Sequence, residues 1–530
     1  MIETTLDTPF CIALAATASL DILAVYARDL MMLQQNSYRN ERYNRWFSQS
    51  GESTNIGRIF CCIALLMLLV KALPLLVSAS AGIIITLWQA IRLFRAKYKK
   101  PLVWTPRAKR IYGVMLALSI VIAGLCGIFA GVKGACIALT AMLTASPAIL
   151  LTANVLLRPV EKAINRRYYN EAAEILASMP ALKIIGITGS YGKTSTKHYL
   201  YRILQEHFST VMTPGSFNTT LGVIRTVREH LQPYNEVFIV EMGAKQPGDI
   251  KEICDLVHPH AGIITAVGEQ HLESFKTIQN VQATKFELAD AIPADGVVVV
   301  NNDFPYVANR EVKNTHCLRY AVSNPGNADF KATAIEYSPA GTTFTIEGSQ
   351  LEQPLKLQTR LVGECNVSNL VAAVIMALKL GVPTDKIRYA VSQIEQVEHR
   401  LNMKRTPGGI TIIDDAFNSN PHGSRMAMEV LAMMKPGKRI VITPGMIELG
   451  PVQDKANEEF GRSIARCADV AIIVGRYNRD AIMAGIAQGP IKPENVHTVD
   501  DFNHAQALLG RIATAGDTVL YENDLPDTFK

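Results

Sequence analysis

The chain has 530 residues, 48% hydrophobic and 19% charged, with 53 basic against 47 acidic side chains and a formal net charge of +6. That composition excludes a disordered, collagen-like or small disulfide-rich protein and predicts about three or four domains of ~150 residues each. The charge is unevenly spread: residues 1–170 carry 19 Lys+Arg against 7 Asp+Glu, a balance of +12, while residues 171–530 balance at −6 and hold all eleven histidines.

A helix needs about 20 mostly apolar residues to cross a hydrocarbon core of ~30 Å. Phe10–Ala27, Ile59–Phe94 and Ile111–Leu157 meet that need. The second is too long for one span and carries Lys71 and Pro74 near its centre; the third splits at Gly131-Val132-Lys133-Gly134. Basic residues gather in Gln34–Arg58, in Arg95–Arg110 (seven basic, none acidic) and after Leu157. If these three segments face the cytoplasm, an even number of crossings separates each pair. A transmembrane domain over 1–170 follows, with five spans near 10–27, 59–76, 77–94, 111–130 and 135–157, its N-terminus outside and its C-terminus inside. A cleaved signal peptide fits Phe10–Ala27 less well, because a basic n-region is missing and Asp21 interrupts the apolar run. Asp21 and Lys71 are ionisable groups near membrane depth; each reads as a functional group or, preferably, as an interface residue reaching headgroups. The nine cysteines have no metal-ligand or redox spacing and read as small buried hydrophobes in a reducing compartment.

From residue 182 onward, β-branched runs alternate with helical patterns. Leu182–Thr188, Val237–Glu241, Ala261–Val267 and Gly296–Asn301 read as buried parallel strands, with helices such as Lys193–His207, Ile250–Val257 and Val281–Ala291 between them. Ala328–Gly348 reads as an antiparallel hairpin insertion, and Asn366–Leu380 as a helix ended by Gly381 and Pro383. A second series begins with Thr411–Asp414, Arg439–Thr443, Val470–Val474 and Asp517–Tyr521. The expected fold is an α-helical membrane domain, an α/β phosphate-loop domain over 171–397 and a smaller Rossmann-like domain over 398–530.

Gly186-Ile-Thr-Gly-Ser-Tyr-Gly-Lys-Thr-Ser-Thr196 follows a strand and opens a helix, as a phosphate loop requires. Glycines let backbone N–H groups wrap phosphates, and the helix N-terminus adds partial positive charge. Lys193 reaches the β/γ-phosphates and the Thr194 hydroxyl can hold Mg²⁺. Ile187 occupies the first glycine position of the strict G-x-x-x-x-G-K-[ST] pattern. T-G-S-Y-G-K-T is instead similar to the T-G-[ST]-x-G-K-[ST] loop of the Mur ligases, which build the peptidoglycan stem peptide. The resemblance covers about residues 180–520 and is strongest to the branch that joins D-alanyl-D-alanine to a UDP-linked muramoyl tripeptide.

The resemblance implies a set of site residues. Gly189, Ser190, Gly192, Lys193, Thr194 and Ser195 would hold the phosphates. Glu241, in Val240-Glu241-Met242-Gly243-Ala244, would serve Mg²⁺ at a strand's C-terminal end. His271, in Gly268-Glu-Gln-His-Leu-Glu273, resembles the histidine of G-x-x-H-L-E that helps bind a second metal ion. Lys285, in Ala-Thr-Lys-Phe-Glu, matches the lysine that Mur ligases carbamylate into an anionic Mg²⁺ ligand. Asn366 and Asn369 resemble the asparagines of G-x-H-N-x-x-N that approach adenine, with Cys365 in place of the histidine; both could equally cap the following helix. Arg400 would meet the γ-phosphate on domain closure, and Asp415 the ribose; Asn418 and Asn420 would face the acyl-phosphate or amine side.

Three departures stand out. Thr443–Gly450 keeps M-x-E-L-G but loses the aspartate of L-G-D-M-x-E-L-G, Glu522–Asp527 stands where the family has a K-G-S-R-like loop, and membrane spans occupy the place of the UDP-sugar domain. The implied activity is membrane-bound, ATP-dependent amide ligation that yields ADP and phosphate through an acyl phosphate, with two Mg²⁺. Its partners would be ATP, a UDP- or lipid-linked muropeptide carboxylate, an amino-acid or dipeptide amine, and membrane lipid, at a bacterial inner membrane with the ligase domains in the cytoplasm. The alternatives are a poly-γ-glutamate-type or other envelope-polymer ligase and, in another class, an ATP-driven transporter or an inactive scaffold. The acidic soluble part argues against nucleic acid.

Overall fold

The computed structural model describes residues 3–70, 72–98, 100–338, 341–417 and 419–524. Lys71 and Asn418, singled out above, lie outside them. The chain divides into two compact units, residues 1–166 and 167–524.

The first unit is all helix: Glu3–Gln35, Asn40–Gln49, Ile56–Leu69, Leu75–Arg95, Pro106–Thr144 and Ser146–Leu156, with Arg158–Ala177 beginning in it. Three helical stretches, Thr8–Gln35, Leu75–Arg95 and Pro106–Thr144, are long and apolar enough to cross a membrane; Ile56–Leu69 and Ser146–Leu156 are shorter apolar helices. The break in the second apolar stretch falls ahead of Pro74 rather than between residues 76 and 77. Proline lacks an N–H and forces the residue before it out of the helical region, so one helix stops at Leu69 and the next starts at Leu75. Pro106–Thr144 is interrupted at Ala130 and Gly131, where Gly131 takes φ +64°. A further break at Ala145, ahead of Pro147, starts the helix Ser146–Leu156.

Asp21 does not reach outward to headgroups. It is 0% exposed, with one carboxylate oxygen 4.0 Å from the Cys61 thiol. Cys61 in turn points at Gln89 Oε1 (3.0 Å). Nearer the basic loops, Arg58 donates to Asp29 (2.7 Å) and to Ser146 (3.0 Å), all of them buried. In contrast Ile84, Ile120, Ile128 and Phe129 stand 69–85% exposed on the outside of the unit.

The second unit holds two sheets. The larger contains β1 (Lys183–Thr188), β2 (Thr210–Met212), β3 (Val237–Glu241), β4 (Ala261–Ile264), β5 (Val297–Asn301), β6 (His316–Ala321), β7 (Phe330–Ser338), β8 (Gly341–Gly348) and β9 (Leu355–Thr359). Their order is β2-β3-β1-β4-β5-β6-β7-β8-β9, parallel through β7 and antiparallel across β7-β8-β9. The central strands are buried on both faces, which explains their continuous Val/Ile runs. The smaller sheet contains β10 (Asn402–Arg405), β11 (Thr411–Asp415), β12 (Arg439–Thr443), β13 (Val470–Val474), β14 (Val496–Val499) and β15 (Thr518–Glu522). Its order is β10-β11-β15-β12-β13-β14, with only β10 antiparallel. Both sheets are therefore mixed, each a parallel α/β sheet with an antiparallel margin, and both present the C-terminal ends of their parallel strands as ligand edges.

Candidate active site

The loop after β1 turns sharply into the helix Lys193–Leu204. Gly192 sits at φ +78°, a left-handed backbone, and a Cβ there would strike Asn369 Oδ1; at Gly189 it would strike Thr265 Oγ1. Only glycine fits both places, and the result is a backbone cradle for an anion. Ser190 Oγ binds Gly268 on both its N–H (3.1 Å) and C=O (3.0 Å), pinning the loop to the segment after β4. Lys193 Nζ folds back on the loop, donating to the Gly189 (2.6 Å) and Ser190 (3.2 Å) carbonyls. Desolvation brings its ammonium down to about 8, with Glu241 opposing and Arg400 adding to the shift.

Glu241, at the end of β3, is 1% exposed. Its Oε1 accepts from the Thr194 hydroxyl (3.1 Å) and from Asn218 (3.2 Å), and its Oε2 faces Lys197 Nζ (3.0 Å). Burial alone would raise this carboxyl; Lys197 and Lys193 outweigh burial and hold it below the ordinary carboxylate range. Thr194 hydroxyl and Glu241 carboxylate, side by side beneath a phosphate cradle, are hard oxygen donors of the kind Mg²⁺ takes, and the site fits it. Among the described residues no group of three or more His, Cys, Asp or Glu gathers as a self-sufficient metal site; a metal here would need phosphate or other oxygens to complete its shell.

Lys285, on the helix Ile278–Ala291, is 2% exposed. Desolvation first, then repulsion from Lys193, pushes its amine well below the ordinary lysine value, against Asp249 and Glu287. His271 takes φ +54° and binds Glu448 Oε2 through Nδ1 at 2.5 Å. The carboxylate beside this histidine thus comes from the smaller sheet's M-x-E-L-G segment. Burial keeps the imidazole below its ordinary value, opposed by Glu448.

Arg400 also comes from the sequence that enters the smaller sheet, and it stacks on Phe417 at 4.6 Å. Its charge is felt at Lys193 and Lys197, and it feels Asp415, Glu241 and Glu522. The two sheets' edges therefore meet over the phosphate loop. Tyr191 of that loop lies parallel to His422 at 5.9 Å, and Phe304 meets His422 edge-on at 5.2 Å.

Other expected contacts are committed within the protein. Asn366 accepts from Tyr199 (2.7 Å) and donates to Val362 (2.9 Å); Asn369 accepts from Thr196 (3.1 Å). Both lie inside the helix Glu364–Lys379, whose N-cap is Gly363, so neither caps it. Instead they tie it to the helix behind the phosphate loop. Ser195 is buried in that loop's helix. Asn420 caps the helix Pro421–Ala432 through Gly423 N (2.8 Å). Cys365 packs against the smaller sheet's core, where a histidine would be harder to bury. Lys197 and Asn218 stand outside the motifs quoted above, Lys197 one helical turn beyond Lys193 on the same face; Glu448 is the glutamate of M-x-E-L-G, and Glu522 opens the segment that departs from the K-G-S-R-like loop.

This arrangement has known counterparts. The Mur ligase middle-domain profile matches residues 187–377, and the Mur ligase glutamate-ligase-domain profile matches 399–521. The chain belongs to the Mur ligase family. It is thereby an ATP-dependent, ADP-forming ligase. As a Mur ligase it is 31% identical over 375 residues to the UDP-N-acetylmuramoyl-tripeptide–D-alanyl-D-alanine ligase of Mycobacterium bovis, covering 66% of this chain and 71% of that one. To the Bacillus subtilis enzyme of the same name it is 28% identical over 345 residues, 64% of this chain and 72% of the relative. Crystal structures of MurF from Acinetobacter baumannii (TM-score 0.61, 27% identity, 67% and 77% coverage) and from Thermotoga maritima with ADP (0.60, 24%, 68% and 80%) share its fold.

Proposed function

We propose that this Mur ligase is a membrane-bound, MurF-like enzyme of cell-envelope precursor synthesis. It would join a muropeptide-type carboxylate to an amino-acid or dipeptide amine such as D-alanyl-D-alanine. The observation that carries this reading is the convergence of Lys193, Glu241, Lys285, His271 and Arg400 around one phosphate cradle, in a chain whose first unit exposes large aliphatic side chains on helices long enough to span a bilayer. The mycobacterial and Bacillus relatives are named for a tripeptide and a D-alanyl-D-alanine substrate, which supports the class of both substrates here.

Phosphoryl transfer between two anions needs its charge offset. The cradle's backbone N–H groups and Lys193 would bind ATP's β- and γ-phosphates. Arg400 would face the γ-phosphate while the acceptor carboxylate attacks it, giving an acyl phosphate and ADP. The amine would then attack the acyl carbon, and phosphate would leave from the tetrahedral adduct with its proton balance met by solvent. Mg²⁺ would be held by Thr194 and Glu241, with a second ion at His271 and a carbamylated Lys285, and would supply charge neutralisation. Lys285, whose amine burial pushes well below the ordinary lysine value, is suited to bond CO₂ through nitrogen with release of one proton, and the resulting carbamate would be the anionic donor. Asn369 and Asp415 would border the base and ribose; Asn366 would have to exchange an internal bond to do so.

The membrane spans stand where other Mur ligases bind a soluble UDP-sugar. A lipid-linked or membrane-adjacent acceptor follows as the preferred substrate, at the bacterial inner membrane with the ligase unit cytoplasmic. The test is ADP release by detergent-purified protein against UDP-muropeptides, lipid-linked muropeptides and glutamate polymers, each with several amines. Acceptor- and amine-dependent ADP release is expected. Hydrolysis indifferent to every pair would overturn the ligase assignment of substrates, and equal turnover of soluble and lipid-linked acceptors after removal of residues 1–166 would overturn the role of the spans.

A further inference from the structure

Asp415 and Glu522 are register partners at the C-terminal ends of the adjacent parallel strands β11 and β15. Glu522 is 0% exposed, lying behind the partly exposed Asp415. Its Oε1 accepts from Ser419 Oγ at 2.5 Å, while its Oε2 is buried and receives no hydrogen bond from the described residues. Asp415 Oδ1 accepts from Leu401 N at 3.2 Å. Two carboxylates placed back to back in a low-dielectric site cannot both ionise without a cation between them. Arg400, whose charge lowers both carboxyls, stacks on Phe417.

A single proton resolves this arrangement. Placed on Glu522 Oε2, it converts an acceptor without a donor into a donor toward Asp415, and leaves Asp415 as the anion. Burial raises both groups; Glu522, beside Asp415, rises well above the ordinary value, while Arg400 opposes the rise at both and Leu401 N opposes it further at Asp415. The other groups facing the pair are Asp414 on β11 and Cys365 on the helix Glu364–Lys379. On the helix Pro421–Ala432, His422 and Arg425 bind each other (3.1 Å).

We propose that Glu522, in its protonated form, is a positioning residue for the nucleotide: its carboxyl O–H donates to Asp415 and fixes that carboxylate as an acceptor for a vicinal diol, the ribose of ATP. This rests on the reading of Asp415 as the ribose-side residue.

The test is ADP titration of the full-length protein in detergent from about pH 6 to about pH 10, for wild type, Glu522→Gln and Glu522→Lys. Glutamine and lysine both supply a donor to Asp415 without needing the shared proton. Expected is a Glu522→Gln affinity within about threefold of wild type at neutral pH, and a ratio of variant to wild-type affinity that climbs with pH, by up to about tenfold per unit once the pair loses its proton. Taking the ratio cancels any titration of Lys193. A ratio that stays constant with pH overturns the proposal, as does loss of binding at neutral pH in a variant whose melting is unchanged. An infrared band of a buried protonated carboxyl in wild type, persisting at neutral pH, is the check that needs no variant; its absence also overturns it. Wild-type protein that binds no ADP at any pH overturns the nucleotide-site reading, and this inference with it.

Discussion

The two units bury charge in opposite ways. In the helical unit the buried guanidinium of Arg58 meets the buried carboxylate of Asp29 and the Ser146 hydroxyl, and Arg110 meets Glu161 through two bonds of 2.7 and 3.0 Å. In the ligase unit Lys197 is paired with Glu241 (3.0 Å), but Lys193, Lys285 and Arg400 share one region with no ion pair of their own among the described residues; burial first, and then repulsion from Arg400 or Lys193, lowers Lys193, Lys197 and Lys285. A paired buried charge has its counter-charge within the fold and acts as scaffold. A surplus of one sign is completed only by a ligand, so it marks a site.

The sharpest way to break that comparison is Lys193→Met. It removes one of several repelling cations, so the ligand-free protein should melt no lower than wild type, while ADP release falls by about 10³-fold or more. A large loss of stability with activity retained would mean that Lys193 is scaffold. Asp29→Asn should do the reverse. Breaking a buried pair leaves Arg58 without its counter-charge and costs about 3–5 kcal/mol, read as a lower melting temperature in detergent. Asp29→Leu combined with Arg58→Met should recover much of it; failure to recover would give the pair a role beyond scaffold. Lys285→Ala sharpens the picture within the site: kcat should drop by about 10²–10³-fold and recover in part with added acetate or propionate, the small carboxylates standing in for a carbamate. A drop without rescue would leave Lys285 as a plain buried amine.

The sequence made the local parts of this molecule legible. A strand, a glycine turn and Gly-Lys-Thr identified the phosphate loop, since all of its chemistry lies within a dozen residues. The central strands were readable because burial on both faces leaves unbroken Val/Ile runs. The short edge strands β2, β9, β10 and β14, and the interior β6, were not, as they carry mixed polar residues and are held by neighbours rather than by their own pattern. Glu448 reaches His271 across 177 positions and Glu522 reaches Ser419 across 103; no local period encodes such pairings. Asp21 was misjudged for the same reason, because its burial depends on the helices Ile56–Leu69 and Leu75–Arg95 packing around it.

The smallest expected effect lies at the opposite end of β15 from Glu522. Asp517 accepts from Thr514 N (2.8 Å), Lys438 N (2.8 Å) and the Thr514 hydroxyl (3.1 Å), joining the start of β15 to the start of β12. Burial would raise this carboxyl, yet the bonds from Thr514 and Lys438 prevail and hold it below the ordinary range. A carboxyl depressed in the folded state binds its proton more readily when unfolded, so its contribution is complete above about pH 4 and is lost as pH falls through the folded value. Asp517→Asn should therefore lower stability by about 1–3 kcal/mol at neutral pH, and the gap to wild type should narrow on acidification. Activity at neutral pH should barely change, since this charge is matched by backbone donors and faces no cation cluster. A variant that loses ADP release while its melting temperature holds would show that the strand's far end reaches the site, and the division between self-completed charge and ligand-completed charge would have to be redrawn along β15.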